Sequence, residues 1–128
     1  MKRAAAVLSL ALLSGVGSAG AQPAERACFP ITEFRSWKAP DTRTIFIRVG
    51  LDHVFRLDLA NTCSLLTSPG SHLITKTRGP DLVCSPIDWD LAVSQPPPGN
   101  IPEPCIVKKM TLLSPDEAAA IPPKFRPQ

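Results

Sequence analysis

Alternation of apolar and polar side chains marks the middle of this chain. From Thr44 to Val49, Ile45, Ile47 and Val49 fall on one face, with Thr44, Phe46 and Arg48 on the other. From His53 to Leu59 the same rhythm sets Phe55, Leu57 and Leu59 against Val54, Arg56 and Asp58. A period of two is the mark of a half-buried strand, and the intervening Gly50-Leu51-Asp52 is turn-like. Residues 44–59 therefore read as a β-hairpin, with Arg48 and Arg56 on its solvated face beside Asp58.

The rest of the pattern is weaker but points the same way. Ile87, Trp89, Leu91 and Val93 share one face of a further strand, with Asp88 and Asp90 opposite. Residues 105–113 make another candidate, Val107 and Leu113 on one face and Ile106, Met110 and Leu112 on the other. Short strands at 73–77 and 82–84 flank the turn Arg78-Gly79-Pro80-Asp81. In residues 29–37, Ile31, Phe34 and Trp37 recur every three positions, which fits either a bulged strand or a helical turn.

One helix is signalled. Ser114 caps it, Pro115 suits its first position, and Glu117 completes a capping box before Ala118-Ala119-Ala120. Pro122-Pro123 stops it after about two turns, so its stability must come from docking. The expected fold is mainly β: a small twisted antiparallel sheet or open barrel, stapled by disulfides, with one short C-terminal helix.

The start of the chain changes the setting. Lys2 and Arg3, an apolar run over residues 4–13, and small residues ending in Ala19-Gly20-Ala21 have the three parts of a secretory signal peptide. Residues 1–21 are expected to be removed, leaving 22–121 as a single domain and 122–128 as a flexible tail. The apolar run is too short to span a bilayer, so no stable membrane insertion is expected after cleavage. Glu25-Arg26-Ala27 before Cys28 does not suit a lipid-attachment site. The predicted location is periplasmic or secreted. Loss of Lys2 and Arg3 takes the net charge from +3 to +1, and the longest remaining basic run is Lys108-Lys109. No charged surface for nucleic acid or anionic membranes is expected.

Four cysteines, Cys28, Cys63, Cys84 and Cys105, in an exported chain imply two disulfides. No C-x-x-C knuckle is present and neither His53 nor His72 sits near a cysteine pair, so no metal site is expected. Of the three connectivities, Cys63–Cys84 with Cys28–Cys105 is favoured, one bridge closing the middle and the other tying first strand to last. All 15 prolines follow the leader. Those within residues 95–104 imply a stiff loop leading to Cys105.

Candidate chemistry is thin. Asp52-His53 beside Asp58 is the nearest approach to an acid–base pair, yet neighbours on a strand point to opposite faces. Asp88 and Asp90 would lie about 7 Å apart on one strand face, a spacing shared by many solvated faces. Ser64, Ser68, Ser71 and Ser85 sit in neither G-x-S-x-G nor S-x-x-K, and no glycine-rich nucleotide loop is present. Trp37 and Trp89 read as core residues. No catalytic, cofactor or metal residues are assigned.

The cysteine framework, Trp37, DTRTIFI at 41–47, VFRLDL at 54–59, NTCSL at 61–65, LVC at 82–84 and LLSPDEAAA at 112–120 together resemble a family of small exported bacterial proteins of unknown function. The resemblance implies a disulfide-stabilised, mainly β periplasmic domain and transfers no site residue. The expected role is a non-enzymatic binding or envelope-accessory module, its partner an envelope protein or small ligand. The alternative is a small periplasmic hydrolase using Asp and His side chains.

Overall fold

Three antiparallel sheets carry the pattern in the computed structural model, which describes residues 27–97 and 101–128. The segment read as an export signal, and residues 98–100 of the proline-rich loop, lie outside the described residues. Strand β1 (Phe29–Pro30) pairs with β6 (Leu82–Val83) as a two-stranded ribbon. Strands β2 (Phe34–Asp41), β3 (Thr44–Val49), β4 (His53–Leu59) and β9 (Val107–Leu112) form a four-stranded sheet in that order. Strands β5 (His72–Thr77), β7 (Trp89–Ser94) and β8 (Glu103–Cys105) form a three-stranded sheet. Among the described residues, none of the sheets closes on itself, and the single α-helix is α1 (Pro115–Ala119).

The β3–β4 hairpin forms as its alternation predicts, in unbroken register from Thr44 against Asp58 to Val49 against His53. Gly50 turns the chain with φ of 61°, a left-handed conformation that side chains resist, and its N–H donates to the Glu33 carbonyl at 2.8 Å. Ile45, Ile47, Phe55, Leu57 and Leu59 then point into one core. Phe29 of β1, Leu66, Val83 of β6, and Trp89, Leu91 and Val93 of β7 complete it, so all three sheets share the same apolar interior. Each such side chain contributes about 1.5–3 kcal/mol through burial.

The opposite face of the hairpin is covered in part: Arg56 stays exposed and pairs with Asp58, while Phe46 and Val54 are buried. Phe46 and Val54 pack with Ile121, Leu113, Ala118 and Phe125, so the docking that a short helix requires is met on this face, although α1 is five residues long rather than two turns. The capping box forms, Ser114 Oγ accepting from Glu117 N at 3.2 Å and Glu117 Oε1 from Ser114 N at 3.1 Å. The chain continues along this face beyond the helix. Pro123–Phe125 makes a 3-10 turn, and Arg126 Nη2 donates to the Ala119 and Ile121 carbonyls at 2.8 Å each.

The disulfides join Cys28 to Cys84 and Cys63 to Cys105, which corrects the expected connectivity. The reason is strand pairing between distant segments. Phe29 stands opposite Val83, so Cys28 and Cys84 are the next residues outward, 4.1 Å apart at Cα. Near the second bridge, Asn61 Nδ2 donates to the Pro104 carbonyl at 2.9 Å, and Asn61 Oδ1 accepts from Ile106 N at 2.8 Å. Ala60 N adds a bond to the Ile106 carbonyl at 2.8 Å. These contacts hold residues 60–63 against 104–106 and bring Cys63 to Cys105.

Two strand boundaries also differ from expectation. Residues 105–113 are not one strand: β8 belongs to the three-stranded sheet, β9 to the four-stranded one, and the chain crosses between them at Ile106. The β4–β9 register then slips so that Asp58 faces Lys109 while Leu59 faces Val107. The extra residue, Lys108, reverses the alternation, so Val107 and Met110 both reach the main core whereas Leu113 packs on the far face. Residues 29–37 resolve into both readings at once, with a 3-10 turn at Ile31–Glu33 between β1 and β2. Glu103 and Pro104, expected in the loop, lie in β8, an edge strand where proline is tolerated.

Candidate functional site

The acidic and hydroxyl side chains singled out in the sequence hold the fold together. Asp58 Oδ1 accepts from Arg56 Nε at 2.9 Å. Asp88 is not in the strand with Asp90: it closes the 3-10 turn Pro86–Asp88, its Oδ2 accepting from Cys84 N and Ser85 N at 2.8 Å each. Ser85 before Pro86 caps that turn, so β7 begins only at Trp89 and Ile87 is left outside it. Asp90 is bound by Arg78, from Nε at 2.9 Å and also from Nη2. This pairing holds the Asp90 carboxyl below its ordinary value and raises the Arg78 guanidinium further.

Asp52 and His53 are exposed at the end of the hairpin, and Ser71 Oγ donates to the Leu65 carbonyl at 2.5 Å. Ser64 belongs to an arrangement that its sequence context does not signal. The Glu103 carboxylate accepts from Leu65 N at 2.9 Å and Ser64 N at 3.0 Å, capping the 3-10 turn Ser64–Thr67 from 38 and 39 residues away. Those two N–H groups, with the Ser64 hydroxyl, hold the Glu103 carboxyl below its ordinary value of 4.5. Among the described residues, no group of three or more His, Cys, Asp or Glu side chains is placed to hold a metal ion.

A different feature presents itself on the three-stranded sheet. Along β5, Leu73, Thr75 and Thr77 are partly buried while His72, Ile74 and Lys76 are exposed. The cross-strand pairs Ile74–Ala92 and Ala92–Pro104 run a small apolar row across the outer surface. Ile87, on the turn before β7, and Ile106, at the crossing between sheets, are 75% and 59% exposed. Between these residues lies a half-open groove of about 520 Å³. Its lining is mostly apolar, and Lys76, Arg78 and Asp90 supply the charge.

Trp89 belongs both to this groove and to the core. It is 2% exposed and meets Phe29 edge-on, ring centroids 5.6 Å apart. Its indole N–H is buried and has no acceptor among the described residues. A buried donor left without a partner costs about 1–3 kcal/mol, so an acceptor reaching it recovers that amount.

Asp52, His53 and Asp88 do not line the groove. Sequence reasoning missed it because its isoleucines come from three separate segments. Ile74 was the available signal, an apolar residue out of phase with Leu73 on an otherwise polar strand face. No protein-family model, curated protein or solved structure matches the chain.

Proposed function

We propose that this protein is an exported, non-enzymatic binding module whose outer groove takes a small, largely apolar ligand bearing a hydrogen-bond acceptor. The reading is supported by a groove walled by Ile74, Ile87 and Ile106 and lined in part by Trp89, whose indole N–H is buried without an acceptor among the described residues. A volume of about 520 Å³ falls in the range of small-molecule sites, which combine apolar walls with a few polar groups. Export is supported by the leader-like composition of residues 1–21 and by two disulfides, which suit an oxidising compartment. The groove lends the hydrolase alternative no support, since Asp58, Asp88 and Asp90 are engaged by their neighbours and Asp52 and His53 lie exposed outside it.

The test is titration with N-phenyl-1-naphthylamine, a neutral dye that brightens in apolar sites. The native protein gives a saturable increase, and Ile87→Asp with Ile106→Asp weakens it at least tenfold while the circular dichroism spectrum is retained. Absence of saturation, or equal binding by the double variant, overturns the proposal.

A further inference from the structure

The second feature lies away from the groove, on the side of the four-stranded sheet covered by the C-terminal segment. A cleft of about 560 Å³ opens between edge strand β2 and the turn Pro123–Phe125. Ser36 and Lys38 line it from β2, and Lys124 and Arg126 from the turn and the residue after it. No Asp or Glu side chain is among its lining residues. Arg48 stands directly across from Ser36 in the β2–β3 ladder. Three cations thus line the cleft, with a fourth, Arg48, one strand further into the sheet. The ion pairs present among the described residues, Arg56–Asp58 and Arg78–Asp90, use none of them.

An independent observation falls on the same place. Ser36 Oγ, Arg48 Nε and Arg126 Nε are buried and have no hydrogen-bond partner among the described residues. Among the described residues, Trp89 Nε1, on the other sheet, is the remaining atom of this kind. Unpartnered buried polar atoms are scarce in folded proteins, and each calls for a bonding partner, ordered water or a bound group. Arg126 is not adrift: its Nη2 is fixed on the Ala119 and Ile121 carbonyls, which orients the guanidinium and leaves Nε unpaired.

We propose that this cleft binds a dianionic phosphoryl group, seated among Ser36, Lys38, Lys124 and Arg126 with Arg48 behind Ser36. Two arginine N–H groups, a hydroxyl and two ammonium groups offer more donors than the two oxygens of a carboxylate can use. A phosphoryl group presents three or four oxygens and a charge nearer to that of the site. The cleft has room for more than the inorganic ion, so a phosphate ester and free phosphate share the chemistry. This inference does not depend on the groove reading, and either stands if the other fails.

The experiment follows the arginine Nε–H resonances by two-dimensional NMR, with Arg48→Lys assigning one of them. Inorganic phosphate, glycerol 3-phosphate and acetate are titrated at matched ionic strength. Both phosphates shift the Arg48 and Arg126 Nε–H resonances saturably, and acetate does not. Tighter binding of glycerol 3-phosphate assigns the site to an ester, and equal or weaker binding assigns it to the free ion. Lys38→Gln with Lys124→Gln, both exposed positions, weakens binding at least tenfold, whereas Lys108→Gln with Lys109→Gln leaves it unchanged. No saturable shift, an equal response to acetate, or unchanged affinity in the Lys38/Lys124 variant overturns the proposal.

Discussion

Removing the Cys63–Cys105 bridge is expected to cost this domain most of its stability. The cross-link spans 42 residues of sequence, and the loop-closure entropy it removes from the unfolded chain is worth about 4 kcal/mol. The Cys28–Cys84 bridge spans 56 residues, and the logarithmic dependence makes its entropic contribution larger by only about 0.2 kcal/mol. Packing separates the two. Cys63 and Cys105 are fully buried in the main core, whereas Cys84 is half-buried and Cys28 exposed. Replacing each pair by alanine is therefore expected to cost more at Cys63 and Cys105, against a total of about 5–15 kcal/mol for a typical domain. Urea unfolding of the two double variants measures the difference. Digestion of unreduced protein with trypsin plus an aspartate-directed protease separates Cys84 from Cys105 and reads the linkage directly. A Cys63–Cys84 peptide refutes the strand-pairing argument. So does a loss below about 1 kcal/mol on removing the buried bridge.

Other outcomes follow from single side chains. Asn61→Ala strips the bonds to Pro104 and Ile106 that hold the crossing between sheets, and is expected to cost about 2 kcal/mol in urea unfolding. Asn61→Asp keeps the acceptor, loses the donor, and is expected to cost less. Glu103→Gln tests the charged cap on Ser64–Thr67. Because the Glu103 carboxyl titrates lower in the folded state, its stabilisation is complete above the ordinary value of 4.5 and disappears as pH falls through the depressed folded value. The wild type is thus expected to exceed Glu103→Gln in stability at neutral pH, with the gap closing in acid. A pH-independent gap refutes the assignment.

Local features of this chain were legible in its sequence, and long-range ones were not. The β3–β4 hairpin and the cap of α1 depend on residues within a few positions of one another, and both form as the pattern implies. The disulfide pairing depends on β1 meeting β6 and on Asn61 reaching residues 104–106, neither of which leaves a local trace. One bulged residue, Lys108, was enough to reverse the face assignment of Val107 and Met110. Asp88 was misplaced because Ser85-Pro86 starts a 3-10 turn where alternation alone continues a strand. The packing beyond α1 was hidden for a related reason: prolines signal the end of a helix but not what the residues beyond it cover. At the groove, only the out-of-phase Ile74 was visible, since Ile87 and Ile106 become its neighbours through assembly of the sheets.

The proposed function requires that an apolar ligand in the groove over β5, β7 and β8 reach Trp89 with an acceptor. Its most direct test is the indole N–H resonance of Trp89, assigned with Trp37→Phe, during titration with 2-decanone and, separately, decane. The account predicts a downfield shift with the ketone alone, saturating together with movement of the Ile74, Ile87 and Ile106 methyl resonances. A Trp89 N–H that stays in place while the ketone binds elsewhere, or does not bind, contradicts it.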